Sequence, residues 1–336
     1  MPVRVAINGF GRIGRLVLRS LVEHARRDIE VVAINDLAPI ETNAHLLRYD
    51  STHGRFPGAV TVKGDSLDVG LGAIKCTAER DPAKLPHAEL GVDIAFECTG
   101  IFTARNKAAA HLAAGAKRVL ISAPGEGADK TIVYGVNHET LTAQDLVVSN
   151  GSCTTNCLAP VAKVLNELCG IERGYMTTIH SFTNDQPSLD QMHKDLYRAR
   201  TASQNMIPTS TGAAKALGLV LPELAGKLDG SSIRVPTPDV SVIDLVVTPT
   251  RDTDKDAVNE AFRAAAANGP LKGVLAVTDE PLVSSDFIHI AASATFALPQ
   301  TQVIEGKLVR VLAWYDNEWG FSTRMLDTAA VMAALI

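Results

Sequence analysis

Cys153 stands in the run Ser152-Cys153-Thr154-Thr155-Asn156-Cys157, directly after an apolar stretch, Leu146-Val147-Val148-Ser149. Val161, Val164, Leu165 and Leu168 then recur on one side, so the spacing predicts a strand, a turn and a helix that opens at Cys153. A cysteine at a helix start faces unpaired N–H groups and the positive end of the helix dipole, and both favour thiolate over thiol. The hydroxyls of Ser152 and Thr154 flank it and suit an anion. The chemistry implied is a nucleophilic sulfur beside an anion pocket. The plainer alternative is a small buried residue, since free cysteine is often interior. A nucleophilic sulfur needs a base or proton donor. His180, at the end of Tyr175-Met176-Thr177-Thr178-Ile179, is one candidate among nine histidines, and spacing alone does not choose between them.

A second constellation lies at the other end of the chain. Gly9-Phe10-Gly11-Arg12-Ile13-Gly14 follows Val3-Arg4-Val5-Ala6-Ile7 and precedes Ile13, Leu16, Val17, Leu21 and Val22 at helical spacing. Placed between a strand and a helix, the three glycines have separate tasks. Gly9 makes the tight turn, Gly11 lets the backbone approach a pyrophosphate, and Gly14 lets helix and strand pack closely. The helix start supplies N–H donors to the phosphates. Asp36 closes the next strand, Glu30 to Ile34, and is followed by Leu37 and Ala38 rather than an arginine. A carboxylate there accepts from ribose hydroxyls and repels a 2′-phosphate, which favours NAD over NADP.

These residues need elements to hold them. Through residue 151 the chain alternates strands (Val92 to Cys98, Arg118 to Ser122) with helices (Thr103 to Ala114), with hairpin segments between Tyr49 and Leu85. That rhythm predicts a parallel sheet covered on both faces, a Rossmann-type dinucleotide domain. Residues 152–317 read differently. Strands are expected at Gly174 to Ser181, Ser231 to Val235, Ser241 to Thr248, Gly273 to Thr278, Ile288 to Thr295 and Leu308 to Tyr315, with helices near 211–221 and 253–268 and a turn at Glu305-Gly306-Lys307. This is an α+β domain with a mostly antiparallel sheet, so the fold class is α/β with two domains. The last helix, within 318–336, is expected to complete the first domain of residues 1–151.

The composition excludes several classes. Apolar residues make up 46% and charged residues 21%, ordinary for a globular chain, and the net charge of -5 gives no case for nucleic acid or an anionic membrane surface. The five cysteines, at 76, 98, 153, 157 and 169, form no disulfide framework and fit a reducing cytoplasm. No Cys-x-x-Cys pair or His-rich tract suggests a metal. No apolar run is long enough to span a bilayer, and Met1-Pro2-Val3 leads directly into a strand without a leader.

Five runs taken together resemble a known family: Ala6 to Arg15, Ser149 to Cys157, Pro208 to Lys215, Arg234-Val235-Pro236-Thr237-Pro238 and Trp314-Tyr315-Asp316-Asn317-Glu318. In this order they resemble the phosphorylating glyceraldehyde-3-phosphate dehydrogenases of the bacterial type. Two departures are Gly151, where many members carry alanine, and Gln186-Pro187-Ser188-Leu189-Asp190, where many carry a basic residue. The resemblance implies that Cys153 attacks the aldehyde of D-glyceraldehyde 3-phosphate, giving a thiohemiacetal and then a thioester. His180 is implied as its ion-pair partner and proton acceptor. NAD would be held by Gly9, Gly11, Arg12, Ile13, Gly14, Asp36, Arg80, Ser122 and Asn317. Thr183, Asp185 and Arg234, with Arg198 close by, would hold the substrate phosphate. Ser152, Thr154, Thr211 and Gly212 would hold inorganic phosphate, and a homotetramer is implied. Two other readings stay open: an erythrose-4-phosphate dehydrogenase, which departs from the Ser210 to Lys215 pattern, and an NAD- or redox-sensing role for an oxidisable Cys153.

Overall fold

A computed structural model describes residues 2–336; Met1, which the sequence places before the first strand, lies outside the described residues. The chain folds into two compact units, one holding the chain up to Ser152 together with Ser322–Ile336, the other Cys153–Phe321.

In the first unit the elements run β1 (Val3–Asn8), α1 (Arg12–Glu23), β2 (Ile29–Asn35), α2 (Ile40–Arg48), β3 (Tyr49–Asp50), β4 (Gly54–Arg55), β5 (Thr61–Lys63), β6 (Ser66–Asp68), β7 (Ala73–Thr77), β8 (Ile94–Glu97), α3 (Arg105–Ala108), α4 (Ala110–Ala113), β9 (Arg118–Ile121), β10 (Lys130–Thr131) and β11 (Val147–Ser149). Strands such as Val5-Ala6-Ile7 and Ile94-Ala95-Phe96 are buried on both faces, as the interior strands of a covered parallel sheet must be. The sheet order is β10-β11-β9-β8-β1-β2-β7-β6-β5. Pairing is parallel from β10 through β7, and β6 and β5 add an antiparallel hairpin edge. The order reverses between β1 and β8, which places a ligand crevice at the carboxyl ends of these strands.

The second unit runs α5 (Cys153–Cys169), β12 (Ile171–Ser181), β13 (Ile207–Ser210), α6 (Ala213–Val220), β14 (Leu228–Val235), β15 (Ser241–Pro249), α7 (Lys255–Ala267), β16 (Leu275–Thr278), β17 (Ala294–Ala297), β18 (Gln302–Ile304) and β19 (Leu308–Tyr315). Its sheet, β13-β14-β12-β15-β19-β17-β16 with β18 on β19, is mostly antiparallel; only β12/β14 and β16/β17 pair in parallel. Helix α5 packs on β15, β17 and β19 and touches α6 and α7. Asp254 caps α7 by accepting the Ala257 N–H at 2.8 Å. The inner face of α7 carries Phe262, stacked on Phe296 with ring centroids 3.6 Å apart.

The final helix, α8 (Trp319–Ala333), carries the chain back to the first unit. Thr323 meets Ser20 at 3.0 Å, Arg26 donates to Asp327 at 2.7 Å, and Thr328 donates to Asn150 at 2.8 Å.

The expected fold class holds, with three local corrections. The strand expected at Ile288 to Thr295 is Ala294–Ala297 instead. His289 has φ of 70° and its N–H is drawn to the Asp316 carboxylate at 2.7 Å, so this apolar run cannot stay extended. The expected helix Thr103 to Ala114 is two short helices, because bonding tightens at Lys107 to Ala104 and at Leu112 to Ala109. Strand β13 was not foreseen; Pro208 interrupts its pattern, which an edge strand tolerates.

Phe262 and Phe296 are fully buried against each other. Phe262→Ala is expected to lower unfolding stability by about 3–5 kcal/mol, read from the denaturant midpoint. A midpoint equal to the parent's would contradict this packing.

Candidate active site

Helix α5 opens at Cys153, and β12 ends at His180-Ser181. Cys153 Sγ lies 3.5 Å from His180 Nε2. The other ring nitrogen, Nδ1, is 2.7 Å from the Ser181 carbonyl oxygen. A carbonyl can only accept, so Nδ1 carries the proton and Nε2 turns a lone pair toward the sulfur. Arg234 sits opposite His180 in the parallel β12/β14 register. Its Nη1 donates to the same carbonyl at 2.9 Å and comes within 3.0 Å of Nδ1.

The electrostatics qualify the expectation that the helix start alone makes a thiolate. Burial pushes the Cys153 thiol up; the charge of Arg234, the Thr154 hydroxyl and the N–H groups of residues 153 and 154 pull the other way and do not prevail. Burial, with the charges of Arg234 and Arg198, pushes His180 down to about 3, against the support of the Ser181 carbonyl. Either charge alone is therefore disfavoured. Transfer of the proton from Sγ to Nε2 leaves the net charge unchanged. Cys157, four residues along α5, is fully buried, and its thiol is pushed well up by burial and by Cys153.

Around this pair the hydroxyl of Tyr315, buried in the core, bonds Thr154 and Thr178 at 2.9 Å each. The Thr154 hydroxyl thus turns inward. Asn317 is fixed by two serines: Ser181 and Ser241 donate to its Oδ1 at 2.9 and 2.8 Å, which directs its amide N–H groups away from them. Asp185 and Arg198 also come together, while Thr183 is bonded to Gln186. Asp185 accepts from Arg198 and from His193, and Arg198 Nε reaches the Thr209 hydroxyl at 2.8 Å. Gln186, in the departing loop, accepts the Thr183 N–H at 3.2 Å and is buried. Thr211 accepts the Ala213 N–H at 3.2 Å, and Gly212 stands at the start of α6. Ser152 is the last residue of the first unit before α5.

In the first unit a groove of about 480 Å³ is walled by Asn8, Gly9, Gly11, Asp36, Arg80 and Thr99, among others. Gly9 has φ of 92°, and a Cβ there would come within 2.7 Å of the Cys98 and Thr99 backbone; a Cβ on Gly14 would meet Gly9 O at 2.1 Å. Both Asp36 oxygens are held by backbone, accepting from Phe10 N at 2.8 Å and Ala38 N at 2.9 Å. Arg12 and Ile13 open α1, but the Arg12 guanidinium is paired with Asp50 at 2.5 Å. The Asp50 carboxyl is lowered to about 2: that pair and the N–H groups of His53 and Thr52 outweigh burial, which opposes them. Ser122 lies at the end of β9, its N–H on Glu97 O at 3.0 Å.

Sequence reasoning missed Tyr315 as a partner of Thr154, and Ser181 and Ser241 as the orienters of Asn317. The one signal available was polar residues at the ends of otherwise apolar strands.

Comparison with known proteins agrees with this arrangement. Residues 3–105 match the family model described as glyceraldehyde 3-phosphate dehydrogenase, NAD binding domain, and residues 152–317 match the C-terminal domain of the same enzyme. Among similar proteins, the glyceraldehyde-3-phosphate dehydrogenase of Xanthobacter flavus is 72% identical and that of Cereibacter sphaeroides 69%, each over 100% of both chains. That of Geobacillus stearothermophilus is 56% identical over 99% of both chains. A Cys–His pair where α5 meets the end of β12, a glycine turn at the carboxyl end of a central parallel strand, and likeness along the whole length lead to one conclusion: the chain belongs to the glyceraldehyde 3-phosphate dehydrogenase family.

Proposed function

We propose that this chain oxidises D-glyceraldehyde 3-phosphate with NAD and inorganic phosphate to 1,3-bisphosphoglycerate, the step shared by glycolysis and gluconeogenesis. The observation that carries this reading is the Cys153 sulfur 3.5 Å from an imidazole nitrogen whose lone pair faces it. The residues of the first unit fit NAD: Gly9 and Gly14 leave no room for a Cβ, and Asp36 is pre-set by two backbone N–H groups to accept ribose hydroxyls. When bound, NAD supplies the hydride acceptor. Asn317, its oxygen held by two serines, would offer N–H donors to the carboxamide.

The steps of the chain's own residues follow from the proton inventory. Cys153 Sγ adds to the aldehyde carbon, and its proton passes through His180 Nε2 to the former carbonyl oxygen. His180 then takes that hydroxyl proton back as hydride leaves, and the product on Cys153 is a thioester. Burial, and after it the Arg234 charge, keeps the resting imidazole neutral, so its Nε2 lone pair is free. Phosphate attacks the thioester carbon, and Cys153 leaves as thiolate and recovers the proton from His180.

Arg234, Thr183 and Asp185, with Arg198, are assigned to the substrate phosphate, a planar fork being suited to such an anion. Ser152, Thr154, Thr211 and Gly212 are assigned to the attacking phosphate; Thr154 would act through its N–H, since its hydroxyl bonds Tyr315. The intact Ser210 to Lys215 run favours phosphorolysis over hydrolysis of the thioester. Residues 1–151 with 318–336 are assigned to cofactor binding and 152–317 to catalysis. A homotetramer is supported by apolar side chains left in the open: Leu189, Met192, Leu196 and Met206 are each at least 77% exposed. Cytoplasmic residence fits the free cysteines, and no helix of the described residues is long and apolar enough to cross a membrane.

The deciding assay is NADH formation from glyceraldehyde 3-phosphate with and without phosphate or arsenate; turnover independent of the oxyanion would exclude phosphorolysis. Cys153→Ser is expected to abolish oxidation while still binding NAD, and an active variant would remove the nucleophile. His180→Asn is expected to lower turnover by about 10²–10⁴-fold. It should also move the alkylation of Cys153 to higher pH, and an unchanged alkylation profile would show that the two groups share no proton. Asp36→Ala is expected to weaken NAD and to narrow the preference over NADP, measured as the ratio of kcat/KM for the two cofactors.

A further inference from the structure

Beneath the groove of the first unit lies a carboxylate that the chemistry above does not use. Glu97 ends β8 and is 1% exposed. Its Oε1 accepts both the N–H of Thr99, at 2.8 Å, and the Thr99 hydroxyl. Its Oε2 accepts Asn8 Nδ2 at 2.6 Å and meets His111 Nε2 at 3.0 Å. His111 Nδ1 in turn lies 3.0 Å from His87 Nε2. Both histidines are buried, and His87 Nδ1 finds no partner among the described residues.

Toward the Glu97 carboxylate His111 donates from Nε2. Burial, and after it the neighbouring His111, pushes His87 down to about 4. Glu97 thus receives four donors. Because a carboxylate only accepts, it also sets the direction of the amides beside it. Asn8 must point Nδ2 at Glu97, so Asn8 Oδ1 accepts Asn35 Nδ2 at 2.8 Å. Asn35 then clamps residue 79 from both sides, donating to Glu79 O and accepting Glu79 N–H, each at 2.8 Å, and accepts the Thr77 hydroxyl at 2.8 Å. Asn8, Asn35, Thr77 and Glu97 stand in register at the carboxyl ends of four adjacent parallel strands. On the other side Thr99 Oγ1 accepts Ile101 N–H at 3.0 Å. The row therefore fixes Asn8, the Glu79-Arg80 corner and the 98–102 loop, all of which wall the groove.

We propose that Glu97 is a positioning residue for the dinucleotide: its buried carboxylate, supported by His111 and His87, orders the hydrogen-bond row that shapes the adenosine side of the site. The proposal rests on the dinucleotide reading of this groove. In Glu97→Gln two of the four donors lose their acceptor, and the Asn8 and Asn35 amides lose their imposed direction. The KM for NAD and the Ki for AMP are expected to rise together by about tenfold or more, as loss of charge-assisted hydrogen bonds implies. kcat at saturating NAD and the rate of Cys153 alkylation should stay unchanged. A purely structural role would lower the melting temperature and leave KM alone, the behaviour expected of Phe262→Ala as control. A folded Glu97→Gln with unaltered KM and Ki overturns the proposal. If Glu97→Gln does not fold, Thr99→Val, which keeps the carboxylate and both histidines, decides: a raised AMP Ki supports the row and an unaltered one overturns it. A parent protein that binds neither NAD nor AMP would instead overturn the dinucleotide reading itself.

Discussion

The carbonyl oxygen of Ser181 accepts from His180 Nδ1 and from Arg234 Nη1, and the chemistry of the second unit depends on that one acceptor. It decides the tautomer, and the tautomer decides that the nitrogen facing Cys153 is a base. It also holds a guanidinium against the ring, where its charge adds to burial in keeping the resting imidazole neutral. The same residue contributes its hydroxyl to Asn317, while its N–H goes to Ser241 at 3.1 Å. One residue thereby links His180, Arg234 and Asn317, the groups proposed as proton acceptor, anion ligand and nicotinamide contact. A shift of β12 against β14 or β15 would disturb all three together, so a wide sheet with fixed register is the right support for such a site.

The first unit handles a different problem with the same means. A parallel sheet ends all its interior strands on one side, and the last residues of those strands face the ligand. Here Asn8, Asn35, Thr77 and Glu97 are polar and bonded to one another. Asp36 accepts two backbone N–H groups, so its carboxylate is oriented before any ligand arrives. Order built in beforehand reduces what must be frozen on binding.

Parts of this were legible in the sequence because their causes are local. The glycine turn could be read since Gly9 and Gly14 answer steric demands set within a few residues. The parallel sheet followed from continuous apolar runs separated by helices. Other parts were not legible, because the partner is distant along the chain. Thr154 and Tyr315 are 161 positions apart, Ser181 and Asn317 136, and Ser181 and Ser241 60. No periodicity announces such pairs. His180 was a candidate among nine histidines until the family resemblance singled it out; the distance to Sγ now gives it a physical basis. The run from Ile288 misled because a left-handed residue, His289, and a distant carboxylate, Asp316, override its apolar pattern.

The return of α8 to the first unit has a consequence for how the protein is made. Ser20 and Thr323 are 303 positions apart, and Arg118, buried near the opposite end of the sheet order, donates to Leu335 O at 2.8 Å. A ribosome releases the parallel sheet early but the helix that seals it last. The dinucleotide unit therefore waits for the contacts of Thr323, Asp327 and Thr328 until the chain between has been translated. Closing so long a loop is slow relative to local pairing. The second unit, contiguous from Cys153 to Phe321, needs no such return of the chain.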